Sequence, residues 1–167
     1  SNGMCAGNTP SEAILQGMCE IFERYSAYQI FFNHLTPPTL DIEFFKNTVV
    51  YGKMKSLINR YGYEFIIKDC SLGKGLPVIG LLIINHKNNT YNFKLGADFV
   101  PAIALERCLT EVYQSRRGFI GLSLLNREIS NDYERYSKML QNGTGNWPES
   151  IFYATPSYHF SGFNESL

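Results

Sequence analysis

Thr9-Pro10-Ser11-Glu12 opens the first long periodic stretch of the chain. Thr9 suits a helix cap, Pro10 the first helical position, and Glu12 lies three residues past the cap to complete a capping box. The spacing predicts a helix from about Pro10 to about Phe31. With successive residues about 100° apart, Ile14, Met18, Ile21, Tyr25 and Tyr28 share one side, which is expected to face a core. Glu12, Gln16, Glu20 and Glu23 line the opposite side. After Pro37-Pro38 a polar turn leads to a second helical stretch, Phe44 to Tyr61. Thr48, Val49, Val50 and Gly52 weaken its middle, so it is expected to split and to be firmest over Lys53 to Arg60.

The period then changes. Tyr63 to Asp69, Leu76 to Asn85 and Thr90 to Leu95 are rich in Ile, Val, Tyr and Phe and are bounded by Gly, Pro and Asn clusters. They read as three strands, the last two a hairpin through His86 to Asn89. Asp98 caps a further helix, Phe99 to Gln114, whose apolar stripe is Leu105, Leu109 and Val112 and whose other face carries Arg107, Thr110, Glu111 and Gln114. A strand or turn near Phe119 to Leu124, a helix from about Asn131 to Leu140 and a loop over Gly143 to Pro148 complete the pattern. The order predicts an α+β fold, with helices packed on an antiparallel or mixed β-sheet.

Composition narrows the function classes. A chain of 167 residues, 44% hydrophobic and 14% aromatic, has the material for one packed core. Fifteen basic and fifteen acidic residues cancel, so no global field favours nucleic acid or an anionic membrane, and any phosphate binding must be local. The longest apolar run, Leu76 to Ile84, is too short to span a bilayer and contains Pro77 and Gly80. Cys5, Cys19, Cys70 and Cys108 are widely separated and form no C-x-x-C. They are expected to be free thiols of a cytoplasmic protein. The closing residues, Phe163 to Leu167, carry no helix stop, and a single domain cut from a longer chain is expected.

Candidate chemistry begins with Glu20 and Glu23, three apart on the first helix, where like charges are unfavourable unless a cation lies between them. Glu111 and Gln114 repeat the spacing on the later helix, with Arg116 just beyond. Two helices offering oxygen ligands suit a hard cation such as Mg²⁺, which commonly joins one or two carboxylates to phosphates. Taken alone, either helix is more simply read as an ordinary solvated face. The small residues before the first helix, Gly7 and Asn8 among them, offer backbone N–H groups to a phosphate or form a simple turn. Gly73-Lys74-Gly75 lacks the spacing and the following helix of a P-loop. His34, His86 and His159 have no metal-ligand spacing, and Trp147 and the aromatics of Tyr153 to Phe160 are expected to serve packing.

Ser1-Asn2-Gly3, Ala6-Gly7-Asn8-Thr9, Glu12-Ala13-Ile14 and Glu20-Ile21-Phe22-Glu23-Arg24 closely resemble the loop and helix of YcaO-domain proteins. Ala104-Leu105-Glu106-Arg107-Cys108-Leu109-Thr110-Glu111, followed by Gln114-Ser115-Arg116, resembles that family's second signature. The resemblance implies ATP and Mg²⁺ as cofactors. It assigns Glu20, Glu23 and Glu111 to the metal, and Arg24, Gln114, Arg116, Gly7 and Asn8 to the nucleotide. It also implies activation of a peptide or protein amide by phosphorylation. By the same resemblance, a Cys, Ser or Thr side chain, or an external sulfur donor, attacks the backbone carbonyl, and phosphorylation of the resulting oxyanion makes the oxygen a leaving group, giving an azoline or a thioamide. A partner protein for substrate recognition and a homodimer are compatible with it, as is a noncatalytic domain that assists a modifying enzyme. Family members carry a nucleotide-binding segment upstream of the S-N-G loop, so this chain is expected to be a fragment of the domain, inactive by itself.

Overall fold

The computed structural model describes residues 6–113, 121–124, 133–134, 136–137 and 146–160. Its first helix, α1, spans Pro10–Asn33. The capping box forms with a shift of one residue. Thr9 Oγ1 accepts from the Glu12 N–H at 3.2 Å, while the Glu12 carboxylate reaches back to the N–H of Asn8 rather than that of Thr9, at 2.8 Å. His34 ends the helix in the left-handed conformation.

A short strand, β1 (Thr39–Leu40), follows where a turn is expected from sequence. Pro37 and Pro38 bias the chain toward extended backbone, and Thr39 and Leu40 pair with Lys68 and Ile67. Lys68 is buried and its ammonium donates to Thr39 Oγ1 and the Tyr153 carbonyl, both at 2.8 Å, and to the Pro37 carbonyl at 3.3 Å. The second helical stretch does split, but earlier than expected, since Val49, Val50 and Gly52 all lie within an unbroken helix. A single 3₁₀ turn covers Ile42–Phe45, and α2 runs from Val49 to Tyr61 with Thr48 as its cap.

Strands β2 (Glu64–Asp69), β3 (Val78–Asn85), β4 (Thr90–Ala97) and β5 (Leu122–Ser123) join β1 in an antiparallel sheet of order β1-β2-β3-β4-β5. β3 is buried along its whole length because both faces are covered. Val78, Leu82 and Ile84 pack with α1, Trp147 and Ile151 on one face. Ile79, Leu81 and Ile83 pack with α2 and with α3 (Pro101–Tyr113) on the other. The fold is therefore α+β, with an antiparallel sheet between helices.

The expected core face of α1 is corrected. Ile14 and Ile21 are 61% and 55% exposed, and Met18, Tyr25 and Tyr28 are exposed as well. The side against the sheet carries Gly17, Cys19, Ser26, Ala27, Ile30 and Phe31. Four of these, Gly17, Cys19, Ser26 and Ala27, are small, so the face shows no stripe of large apolar side chains over most of the helix. Glu20 and Glu23 consequently do not project from the outer side of α1.

α3 matches its expected stripe, since Leu105, Leu109 and Val112 are all buried. It begins two residues later than expected, at Pro101, after Asp98 accepts from the Val100 N–H at 3.0 Å. Residues 133–134 and 136–137 are helical, and the remainder of the expected Asn131–Leu140 helix lies outside the described residues.

Candidate functional site

β5 pairs with β4 only at Thr90 and Tyr91, so among the described residues β4 has no outer neighbour from Asn92 to Ala97. α1 and α3 lie on opposite faces of the sheet, and both pass this edge. A cleft of about 200 Å³ opens there. Glu23 reaches it from α1 and Glu111 from α3, while Lys94 of β4, Arg24, Leu122 and Trp147 contribute to its walls.

α3 owes its close seat on β4 to Gly96. A Cβ at that position would lie 2.4 Å from the Ala104 carbonyl oxygen and 3.0 Å from Cys108 Sγ. Arg107 clamps the same junction, donating from Nη1 to the Ala97 carbonyl at 3.2 Å and pairing through Nη2 with Asp98 at 3.1 Å.

Both carboxyls resist ionisation. Burial pushes Glu23 up to about 8, aided by the charge of Glu111 and then Glu20, against the pull of Arg24 and Arg107. Burial also raises Glu111, opposed by Lys94, Arg24 and Arg107. Arg24 is committed elsewhere, since its Nε donates to Glu20 Oε1 at 2.9 Å. Thus Glu23 and Glu111 converge, while Glu20 stands beside them as the partner of Arg24.

Residues 1–163 match the family described as YcaO cyclodehydratase, ATP- and Mg²⁺-binding. The chain belongs to the YcaO family. The ribosomal protein S12 methylthiotransferase accessory factor YcaO of Escherichia coli (strain K12) is 34% identical over 116 residues. That match covers 70% of this chain and 20% of the relative, so the chain spans about a fifth of the relative's length. A heterocyclase in complex with substrate and cofactor superposes with TM-score 0.62 at 30% identity, covering 70% of this chain and 16% of that one. YcaO from Methanopyrus kandleri bound with AMPPCP and Mg²⁺ superposes with TM-score 0.53 at 26% identity, covering 71% and 33%.

The YcaO domain binds ATP and Mg²⁺, and the donor set in the cleft fits both. Among the described residues no group of three or more His, Cys, Asp or Glu side chains is gathered to hold a metal unaided. A pair of carboxyls that resist ionisation together is instead suited to Mg²⁺, which takes one or two carboxylates and completes its shell with water and phosphate oxygens. Of the remaining YcaO-type positions, Gly7 and Asn8 do not line the cleft. Gly7 and Asn8 stand at the start of α1, where the Asn8 N–H is held by Glu12. A Cβ on Gly7 would meet the Ala13 nitrogen at 2.7 Å, so the helix start itself requires glycine. Gln114 and Arg116 lie outside the described residues.

Trp147 is buried against Phe31 and Phe93, as expected of packing, and it also contributes to the cleft wall. Lys94 escapes the sequence reading altogether. It belongs to no motif, and only its alternation within β4, two residues from Gly96, would have placed it on the side of α3. His86 pairs with Glu64 at 2.7 Å, far along the chain from these motifs. Cys19, Cys70 and Cys108 are buried free thiols. Among the described residues no helix is long and apolar enough to cross a membrane.

Proposed function

We propose that this chain forms the carboxylate-bearing half of an ATP- and Mg²⁺-dependent site in a longer cytoplasmic protein, which activates a backbone amide of a peptide or protein substrate by phosphorylation. The observation that carries this reading is the meeting of Glu23 and Glu111 from opposite faces of the sheet. Glu23 and Glu111 hold the metal, with Glu20 joining when Arg24 turns toward phosphate. Gln114 and Arg116 take the nucleotide roles that the family resemblance gives them. Bound ATP supplies the phosphoryl group that makes the amide oxygen a leaving group. The chain's own contribution is positioning and charge neutralisation, which dominate phosphoryl transfer. Azoline or thioamide formation follows according to which nucleophile the substrate or a sulfur donor presents.

Calorimetric titration of ATP with Mg²⁺ into the full-length protein tests the site. Glu23→Gln and Glu111→Gln should each weaken binding by about tenfold or more, the scale of losing a charged ligand contact. Equal binding by wild type and both variants would remove the metal assignment. A second reading is favoured by the name of the Escherichia coli relative, an accessory factor: a domain that binds nucleotide yet serves a partner enzyme. ATP turnover stimulated by the peptide substrate supports the first reading. Intact MgATP binding without turnover supports the second.

A further inference from the structure

Three cations surround the carboxyl pair, and they are not equally available. Arg24 is held by Glu20, and Arg107 by Asp98 and the Ala97 carbonyl. Lys94 lines the cleft, and among the described residues it is in no ion pair or hydrogen bond. It shares its side of β4 with Gly96, the side against α3. The cleft therefore presents two carboxyls, which ionise to hold a cation, and one uncommitted ammonium.

We propose that Lys94 is a polyphosphate-anchoring residue of this chain, meeting a nucleotide phosphate oxygen opposite the carboxylates of Glu23 and Glu111. A space bounded by carboxylates and an ammonium accepts a ligand that is itself cation on one side and anion on the other. A metal-bound polyphosphate has this character. Lysine suits the task because its ammonium is a compact charge on a flexible stem, able to follow one oxygen. The assignment rests on the nucleotide reading above.

The test uses the full-length protein and two ligands, MgATP and Mg²⁺-tripolyphosphate, titrated calorimetrically into wild type, Lys94→Ala and Lys94→Arg. Lys94→Ala should weaken both ligands by a similar factor of about tenfold or more, and Lys94→Arg should recover most of the loss. Unchanged affinity in Lys94→Ala overturns the proposal, as does a loss confined to MgATP, which would put Lys94 against the nucleoside instead. Failure of wild type to bind either ligand overturns the nucleotide reading itself, and the role of Lys94 with it.

Discussion

Glu23 is where burial, like charge and function bear on one side chain. In the folded, metal-free protein its carboxyl keeps a proton up to about pH 8, against an ordinary glutamate value of 4.5. Between those values the unfolded chain binds fewer protons than the folded one, so stability falls as pH rises. The contribution is full below about 4.5 and lost on passing through 8. A bound cation reverses the balance, because the carboxyl must be ionised to act as its ligand. Mg²⁺ affinity should therefore rise with pH, by up to about tenfold per unit below 8 for one displaced proton, and level off above it. Titrations of Mg²⁺ with nucleotide at pH 6, 7 and 8 measure this slope. Glu23→Gln should flatten it, and a wild-type affinity independent of pH would contradict the role. At this scale the sequence was informative about identity but not about direction. Glu23 and Glu111 were legible as paired carboxylates on two helices, whereas their burial depends on which way α1 is turned.

At the scale of elements, the same orientation explains what sequence could and could not yield. The turn chemistry around His86 to Asn89, the alternation in β4 and the Leu105, Leu109 and Val112 stripe each have one dominant local cause, and the observed elements follow them. α1 has two competing faces: Ile14, Met18, Ile21, Tyr25 and Tyr28 lie on the one that does not meet the sheet, while Ile30 and Phe31 join Gly17, Cys19, Ser26 and Ala27 on the one that does. β1 depends on pairing with β2, a contact far away in sequence, so a local pattern could not announce it. The close seat of α3 on β4 is likewise a tertiary demand visible only as a lone glycine. Gly96→Ala should push α3 outward, since backbone at 2.4 Å cannot yield cheaply. A cost of about 1 to 3 kcal/mol is expected for this overpacking, read in denaturant unfolding. MgATP affinity should fall with it because Glu111 moves with the helix. Thr9→Ala, which removes the α1 cap, should cost about 1 kcal/mol and leave α3 in place, so its effect on affinity should be the smaller of the two.

For the molecule as a whole, the formal net charge of zero leaves the positive charge needed by a polyphosphate to the cleft itself and to the metal it holds. The sheet separates α1 from α3, and their carboxyls meet only beyond the end of β5. A ligand that engages both must therefore couple two faces that otherwise communicate through the sheet. At a free MgATP concentration about 100 times its dissociation constant, the folded state gains about 2.7 kcal/mol. Hydrogen exchange then distinguishes a clamp from two separate sites. With MgATP bound, amides of α1 and α3 should gain protection together. Glu111→Gln, a change made only on α3, should remove the gain in α1 as well. Persistent protection of α1 in that variant would mean that each helix meets its ligand independently, and the shared site would have to be abandoned.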